Sequence, residues 1–394
     1  MPRQRSISSF SLLGALCFCV PLWAQLHKKV QVTGGSIPAP DAPWHLVFHD
    51  EFSKSKLDTT KWITYYPYDP QGKDQCAYCR THGAEGQVYL DRNVQVGNGH
   101  AQIRVQREPV AWMGEQRAYS SGMIHTRPPW KFKFGRFEMR CRLPRGMGFW
   151  PAFWLYGWGG NEIDIFELGM QDPDIQYTNV HRDFEGGHFY HGDTHYGPDY
   201  SSDFHVFALE WDPWSIRWLV NGYEVRQMTR LQEQRRKKPV LPGTSLEPGV
   251  YLENLLLPEW PLDVIANVAV GVDGVTPFTS SPTAETTLPA NMDIDYIRVY
   301  QRQPQPGMQD LCASARITGP DWITGPALYR FEGPFVRLDW NVSEGLNILE
   351  RSADGILIGP LPGVALSRQW VEARVDSDGK GPCPATTIRR VVRR

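Results

Sequence analysis

Three acidic side chains lie close together in one apolar segment, residues 162–167. Side chains on a β-strand alternate between its two faces, so Glu162 and Asp164 point to the same side. Glu167 is one position out of phase with them. A β-bulge at Ile165-Phe166 adds one residue and returns Glu167 to the acidic face. The spacing therefore predicts a bulged strand that presents three carboxyl groups to one surface.

The distance between the outer two acids indicates a reaction. At a rise of about 3.3 Å per residue, the Cα atoms of Glu162 and Glu167 should lie roughly 13 Å apart across the bulge. Two glutamate side chains that lean toward each other would bring their carboxyl groups to roughly 5 to 5.5 Å, the separation in a retaining glycosidase. From spacing alone, a solvent-facing acidic strand or a calcium site remains an alternative.

Aromatic side chains precede the acidic segment. On a strand over residues 149–155, Trp150 and Trp154 share a face, with the small Ala152 between them, and the opposite face is apolar. Two spaced indoles can form a platform for sugar rings. Large aromatic residues are more often buried in a core, so the spacing by itself leaves both interpretations open.

Several segments in a fixed order resemble glycoside hydrolase family 16. In addition to the acidic segment they are Asp50-Glu51-Phe52, Gly135-Arg136-Phe137-Glu138, Trp150-Pro151-Ala152-Phe153-Trp154, Phe207-Ala208-Leu209-Glu210-Trp211 and Ile294-Asp295-Tyr296-Ile297-Arg298-Val299-Tyr300. The resemblance covers residues 44–302. It implies an all-β fold, a concanavalin-like β-jelly-roll sandwich with a concave substrate groove. The alternating runs of this region independently indicate an antiparallel β-sandwich.

The resemblance implies a role for each acid. Glu162 matches the family's nucleophile, Glu167 its acid/base, and Asp164 the aspartate that hydrogen-bonds the nucleophile. Three neighbouring carboxylates cannot all ionise cheaply, so we expect a raised pKa for Glu167 and an ionised Glu162. The six-residue spacing is typical of the bulged branch, which includes laminarinases, agarases and carrageenases. Phe166 replaces the methionine that laminarinases often carry, which leaves the substrate subclass open.

The resemblance also predicts which side chains bind sugar. Trp150 and Trp154 match cleft tryptophans, and His181 matches a histidine near the reacting sugar ring. Arg136 and Arg140 alternate with apolar residues, so their charged face either lines the cleft or contacts water. We therefore include both arginines as candidate substrate-binding residues.

Metal chemistry is not required for the predicted reaction, and no cofactor for catalysis is expected. The resemblance implies a structural Ca²⁺ site that uses Asp295, since oxygen ligands suit this cation. His188, His191 and His195, with Asp193 and Asp199, could form a metal site. The Gly-Gly, Gly-Asp and Gly-Pro pairs around them instead favour a flexible loop at the rim of the cleft.

Composition and the N-terminal segment limit the class of protein. The 394 residues carry a formal net charge of −2, so no broad basic surface suggests a nucleic-acid partner. Residues 1–24 combine early arginines with a short apolar run and predict a secretory signal peptide, followed by a linker over 25–43. No other segment is expected to span a membrane. The location is thus secreted, periplasmic or cell-surface, and neither Cys17 nor Cys19 follows a convincing lipoprotein signal.

A second domain is predicted after the catalytic one. Residues 303–309 are rich in Pro and Gln and indicate a linker. Residues 310–394 contain short strand patterns that suit a smaller immunoglobulin-like β-sandwich, similar to PKD-like modules, which we interpret as a spacer. In an exported protein, a disulfide between Cys312 and Cys383 could close this module. We expect Cys76 and Cys79 to form a local disulfide or remain two loop thiols, and Cys141 to be buried.

Together these observations predict a secreted, monomeric, retaining endo-glycosidase that cuts internal β-linkages of a polysaccharide, with β-1,3-glucan as the leading substrate. A galactan hydrolase of the agarase, porphyranase or carrageenase type is the nearest alternative. A transglycosylase and a non-catalytic glycan-binding protein are the others. Loss of either glutamate would mark a binding protein, and both Glu162 and Glu167 are present.

Overall fold

The computed structural model describes residues 27–302, with breaks at 33–34, 38–42, 69–75, 77, 84, 127–129, 158–159, 185–186 and 259–260, and the backbone of seven strands between 311 and 392. The predicted signal peptide 1–24, the linker 303–309 and Cys383 lie outside the described residues. Cys312 lies in a strand of which only the backbone is described. No helix in the described part of the chain has the length and apolar character needed to cross a membrane.

The regular secondary structure of the described residues consists of strands, with one 3₁₀ turn at Asp91–Asn93. The first strands are β1 (His27–Val32), β2 (Gly35–Ser36), β3 (Trp44–Asp50), β4 (Trp62–Ile63), β5 (Gln87–Tyr89), β6 (Val94–Gly97), β7 (His100–Trp112), β8 (Glu115–Ser121), β9 (Met123–Thr126), β10 (Gly135–Arg142), β11 (Phe149–Gly157) and β12 (Asn161–Glu167). They are followed by β13 (Ile175–Phe184), β14 (Gly187–Tyr196), β15 (His205–Trp211), β16 (Ser215–Val220), β17 (Tyr223–Thr229), β18 (Leu231–Glu233), β19 (Lys238–Pro239), β20 (Ser245–Leu246), β21 (Gly249–Asn254), β22 (Asp263–Val270) and β23 (Ala290–Arg302). The last are β24 (Leu311–Thr318), β25 (Pro326–Glu332), β26 (Phe335–Val342), β27 (Gly345–Arg351), β28 (Ile356–Pro360), β29 (Gln369–Val375) and β30 (Thr386–Val392).

Two large sheets form the body of the fold. The seven-stranded sheet has the order β14-β13-β12-β11-β22-β9-β4, which places the acidic strand β12 near its centre. The ten-stranded sheet has the order β17-β16-β15-β10-β23-β7-β8-β5, with β3 paired to β23 and β6 to β7. Apolar side chains of both sheets form one buried cluster, which includes Phe137 and Met139 of β10 and Phe153 and Ile163 of β11 and β12. The predicted all-β sandwich is confirmed.

Alternation along β10 explains why this strand belongs to a sandwich. Phe137, Met139 and Cys141 are fully buried, whereas Arg136 and Arg140, at alternate positions, are half-buried. Successive side chains on a strand point to opposite faces, so the apolar set fills the core and the arginines point outward. The ten-stranded sheet therefore presents a charged outer face.

The turn between β16 and β17 follows local sequence chemistry. Val220 pairs with Tyr223, so Asn221-Gly222 forms a two-residue hairpin loop. Both residues have positive φ, 49° and 84°, which Asn and Gly tolerate better than other residues.

The N-terminal linker prediction is partly wrong. Residues 27–32 form β1 and pair with β21, and residues 35–36 form β2 and pair with β20. Backbone hydrogen bonds to these later segments, which the sequence pattern of 25–43 did not reveal, hold this part of the chain. The domain limits 44 and 302 remain predictions, although Arg302 is the register partner of Trp44 where β23 meets β3.

Strands β24 to β30 follow one another in a closed order, with β24 also paired to β30. All adjacent pairs in this set are antiparallel except the closing one, which is parallel. These strands account for the β-rich pattern of residues 310–394.

Candidate active site

The bulge lies where the sequence predicts it, on β12. Phe153 of β11 pairs with Phe166, but the next residue, Trp154, pairs with Asp164, so Ile165 has no partner in this register. The register with β13 shifts in the same place, between Asp164 and Glu167. Directly opposed residues in an antiparallel pair point to the same face. The extra residue therefore returns Glu167 to the face that carries the other two acids.

Side chains satisfy two backbone carbonyls in the bulge. The buried indole of Trp218, from β16 of the other sheet, donates Nε1–H to the carbonyl oxygen of Asp164 at 2.9 Å. The buried amide of Gln176, on β13, donates to the carbonyl oxygen of Ile165 at 2.9 Å. A buried carbonyl without a partner costs about 1–3 kcal/mol, so these two donors stabilise the irregular strand. Neither residue was predicted, because the sequence does not show what lies across the core.

The inner pair of acids forms the most crowded part of the site. Glu162 and Asp164 share a side-chain hydrogen bond, and His181 Nε2 lies 3.3 Å from Asp164 Oδ2. His181 is the register partner of Glu162 on β13, which brings it to the predicted position beside the acids. One side-chain ligand atom from each of these three residues lies within 4.8 Å of the others.

Burial raises the pKa of all three carboxyl groups. Burial, followed by the charge of Asp164, raises the pKa of Glu162 to about 8. Burial also raises the pKa of Asp164 to about 7, although Glu162 and the Arg226 guanidinium oppose this shift. Burial and the two other acids hold the pKa of Glu167 well above its ordinary value. The expected direction for Glu167 agrees with the structure, but the expectation of an ionised Glu162 does not.

The correction for Glu162 has a physical reason. The sequence argument considered the neighbouring carboxylates, whereas desolvation of the half-buried Glu162 carboxyl group is the largest cause of its raised pKa. The nearest opposing group is His181, whose positive form lowers the pKa of Glu162. The ionisation of Glu162 therefore depends on the protons of Asp164 and His181.

The two candidate platform tryptophans differ. Trp150 is half-buried, donates Nε1–H to Glu167 Oε1 at 3.1 Å and contacts the Phe278 ring at 5.3 Å. Trp154 is only 6% exposed, and its ring lies nearly parallel to that of His82, with centroids 6.5 Å apart and an interplanar angle of 9°. Trp154 is thus a packed residue rather than an exposed platform, because the segment before β5 covers it.

A buried polar network behind Trp154 was not predicted. Trp154 Nε1 donates to Asn267 Oδ1 at 2.8 Å, and Asn267 Nδ2 donates to the Tyr89 hydroxyl at 3.0 Å. Tyr89 donates in turn to Glu85 Oε2 at 3.1 Å, and Gln87 donates to the same oxygen at 2.6 Å. Burial raises the pKa of Glu85. The members of this network come from three separate segments of the chain, so the sequence pattern does not connect them.

Arg136 and Arg140 are not at the site. Arg136 donates to Glu138 and Glu210 on the outer face of the ten-stranded sheet, at 2.7 Å each. Arg140 donates to Asp295 Oδ2 at 2.5 Å on the same face. The prediction that these arginines contact sugar is wrong, because the apolar alternate residues of β10 occupy the inner face.

The surroundings of Asp295 do not fit a calcium ion. The Arg140 guanidinium already neutralises this carboxylate, and calcium requires six to eight oxygen ligands. Among the described residues, the one group of three or more acidic, histidine or cysteine ligands is Glu162, Asp164 and His181. The proposed histidine loop is also corrected, since residues 187–196 form β14 and pair with β13 along its length.

The cysteine predictions can be checked at three positions. Cys76 and Cys79 form a disulfide, in agreement with the local-disulfide alternative. Cys141 is a buried thiol on the apolar face of β10, as predicted. Burial raises the pKa of this thiol.

Comparisons with known proteins agree with this geometry. The model of glycosyl hydrolases family 16 matches residues 85–250. A β-glucanase of Rhodothermus marinus is 33% identical over 298 residues, which cover 68% of this chain and 89% of that protein. A glucan endo-1,3-β-glucosidase A1 of Niallia circulans is 30% identical over 299 residues, which cover 68% of this chain but only 40% of that protein.

Solved structures support the same assignment. The laminarinase catalytic domain of Thermotoga maritima superposes with a TM-score of 0.53 at 28% identity, covering 66% of this chain and 99% of that domain. The chain belongs to glycosyl hydrolases family 16. Members of this family are retaining glycoside hydrolases, and its glucanases act without a catalytic cofactor.

Proposed function

We propose that this protein is a secreted retaining endo-glycosidase that cleaves internal β-1,3 bonds of a laminarin-type glucan. The single observation that carries the reaction is the bulged strand β12, which directs Glu162, Asp164 and Glu167 to one face. The substrate is supported by two relatives, named as a β-glucanase and a glucan endo-1,3-β-glucosidase.

The proposed reaction proceeds in two displacements. Glu162 attacks the anomeric carbon while Glu167 gives its proton to the glycosidic oxygen, which leaves with one half of the chain. A water molecule then loses a proton to Glu167 and attacks the same carbon, which releases Glu162. The protonated form of Glu167 suits the first step, because burial and the neighbouring acids raise its pKa.

Asp164 has a different role in this proposal. It shares a hydrogen bond with Glu162, so a proton can pass between these two carboxyl groups. Attack requires that Glu162 has lost its proton. Asp164 and His181 are the groups within reach that can accept it.

Substrate contacts are proposed for Trp150 and His181. Trp150 holds Glu167 through its indole N–H and leaves part of its ring accessible, and the rings of Phe278 and Tyr177 extend this surface, 4.6 Å apart. Stacking of sugar rings on such a surface suits a neutral polysaccharide. The bulged β12 also supports assignment to the laminarinase-containing branch of the family.

The alternatives differ in measurable products. A galactan hydrolase would release oligosaccharides from agarose, porphyran or κ-carrageenan rather than from laminarin. A transglycosylase would pass the glycosyl group from Glu162 to a second sugar and yield longer products. A glycan-binding protein would release none.

Incubation of the purified chain with laminarin, mixed-linkage glucan, agarose, porphyran and κ-carrageenan separates these outcomes. We expect laminari-oligosaccharides from the first substrate, and NMR of the first product should reveal the retained β-anomer. Release from a galactan instead would replace the substrate proposal, and an inverted anomer would contradict the two-step reaction.

Three further features are proposals that accompany this function. Export would follow from the signal peptide at residues 1–24, and mass spectrometry of protein from the culture medium would detect the mature terminus. The strands between 311 and 392 are proposed to form an immunoglobulin-like spacer domain. We expect a monomer in analytical ultracentrifugation.

A further inference from the structure

A row of four side chains runs from solvent to the buried Asp164 in the catalytic face. His188 Nδ1 lies 2.8 Å from Asp183 Oδ1, and His188 Nε2 lies 3.0 Å from His181 Nδ1. The other nitrogen of His181 lies 3.3 Å from Asp164 Oδ2. The row therefore alternates from a carboxylate through two imidazoles to a second carboxylate.

Exposure decreases steadily along this row. The side chains of Asp183 and His188 are 58% and 55% exposed, that of His181 is 20% exposed, and that of Asp164 is 3% exposed. The centroids of the His181 and His188 rings lie 5.2 Å apart, with an interplanar angle of 28°. Gly160 leaves room for the Asp183 carboxylate, since a Cβ at Gly160 would lie 2.3 Å from Asp183 Oδ2. The outer end is thus in water and the inner end is in the catalytic face.

The acceptor at the outer end of the row, the Asp183 carboxylate, determines the tautomers of both imidazoles. A neutral imidazole has one N–H donor and one acceptor nitrogen. The Asp183 carboxylate accepts, so His188 donates from Nδ1 and accepts at Nε2 from His181 Nδ1–H. The lone pair of His181 Nε2 then points toward Asp164 Oδ2, which makes no well-aligned hydrogen bond within the described part of the chain.

We propose that His188, oriented by Asp183, is a positioning residue that holds His181 in its Nδ1–H tautomer and conducts protons between solvent and the Asp164–Glu162 pair. This inference rests on the proposed roles of the acids. The proton of Glu162 moves to Asp164 and then to His181 Nε2. The Nδ1 proton of His181 moves to His188 Nε2, the Nδ1 proton of His188 moves to Asp183, and Asp183 releases it to water. Glu162 is then the ionised nucleophile.

The ionisable groups facing this row come from five strands. They are Tyr156 on β11, Glu162, Asp164 and Glu167 on β12, Asp183 on β13, Tyr190 on β14 and Arg226 on β17. Burial raises the pKa of Tyr156 to about 12, so the acids, the histidines and Arg226 determine the charge of the row.

The substitution His188→Phe tests the proposal, because it keeps a ring against His181 and removes both nitrogens. In the full chain with ¹⁵N-labelled histidine, long-range ¹H–¹⁵N spectra should identify His181 as the Nδ1–H tautomer, with His181→Gln for assignment. We expect His188→Phe to lose this preference. It should also lower kcat/KM by about tenfold, a moderate loss, because His188 acts on the acids through His181. The acidic limb of the pH profile of kcat/KM should move to higher pH by about 0.5 to 1 unit.

Asp183→Asn should change the His181 tautomer, kcat/KM and the acidic limb of the pH profile in the same direction as His188→Phe, but by less. His49→Phe is the matched control, since His49 lies 3.2 Å from Glu51 and is 51% exposed but faces away from the cleft. An unchanged His181 tautomer and acidic limb in His188→Phe would overturn the proposal. If the wild-type chain cut no glycan, the proposed function would fail, whereas the tautomer spectra would still decide whether the row exists.

Discussion

Two charged faces of this molecule are built from the same strand pattern and behave differently. On the outer face of the ten-stranded sheet, Glu138 and Glu210 accept hydrogen bonds from Arg136, and Glu51 accepts two from Arg298. On the face of the seven-stranded sheet, Glu162 and Asp164 adjoin each other and His181, and Glu167 lies on the same face. The outer pairing lowers the pKa of Glu51, whereas burial raises the pKa of Glu162.

The comparison shows that alternation places a charge on a face but does not determine its chemistry. The residues across the sheet do so, because a cation opposite a carboxylate stabilises the charged form and burial without one stabilises the protonated form. Reactive acids and structural acids therefore differ in their neighbours rather than in their spacing.

Removal of the catalytic acids should have the largest effect. Glu162→Gln and Glu167→Gln keep the side-chain shape, and each should lower kcat on laminarin by about 10³-fold or more, because nucleophile and proton donor are lost. Glu138→Gln on the outer face is the control and should stay within about twofold. Comparable losses in all three variants would abolish the functional distinction between the faces.

The donor to the bulge should have the next largest effect. Trp218→Phe removes the indole N–H that binds the Asp164 carbonyl and should lower the free energy of unfolding by about 1–3 kcal/mol beyond the loss of ring volume. It should also reduce kcat, since the bulge aligns Glu167 with Glu162. Trp211→Phe is the control, because Trp211 is equally buried and its Nε1 has no hydrogen-bond partner among the described residues. Equal destabilisation in both variants would argue against the bulge contact.

One acid on each face should contribute to the free energy of unfolding with an opposite dependence on pH. The folded pKa of Glu162 is about 8, above its ordinary value of 4.5, so its contribution is fully present below pH 4.5 and is lost as pH rises through 8. Glu162→Gln should therefore stabilise the chain at pH 9 relative to pH 5, by on the order of 2 kcal/mol.

Glu51→Gln provides the opposite case. The pKa of Glu51 is lowered in the folded chain, so Glu51 stabilises the fold above its ordinary pKa and this stabilisation is lost as pH falls. This variant should be destabilised at neutral pH and approach wild type in acid. Thermal melts of both variants from pH 4 to pH 9 measure the difference, and parallel curves would refute the electrostatic contrast.

Changes at Arg140 and Asp295 should have the smallest effect. Their ion pair is more than one third exposed on both sides, and exposed pairs contribute about 0 to 1 kcal/mol. Arg140→Ala should leave kcat/KM unchanged and lower Tm only slightly. EDTA should leave the Tm of the wild-type chain unchanged, whereas a large fall would restore the calcium interpretation.

Local patterns predicted a substantial part of the fold. Period-two alternation identified β10 and β12, Asn221-Gly222 marked a hairpin, and one extra residue between Asp164 and Glu167 located the bulge. These features depend on residues close in sequence, where backbone geometry leaves few choices.

Predictions failed where a distant segment decides the environment. Trp154 was assigned to a sugar platform, but it is buried in a cluster with Tyr66 and Tyr89 from distant segments. The sequence pattern allowed Arg136 and Arg140 to face either the cleft or solvent. In the structure they lie on the outer face, because the apolar residues of β10 face the core. The sequence contains no signal for which of two faces a given loop or sheet will cover.

The sequence by itself determined the identity, order and phase of the three acids, because strand periodicity and a single bulge are local properties of the chain. Only the tertiary structure decided the pKa values of these acids and the hydrogen bonds that hold them in place. Trp218, 54 residues from Asp164, supplies the hydrogen bond to its carbonyl, and the row from Asp183 to His181 forms only when β13 and β14 pair. Desolvation and hydrogen bonding act through space, so these properties depend on contacts that folding creates.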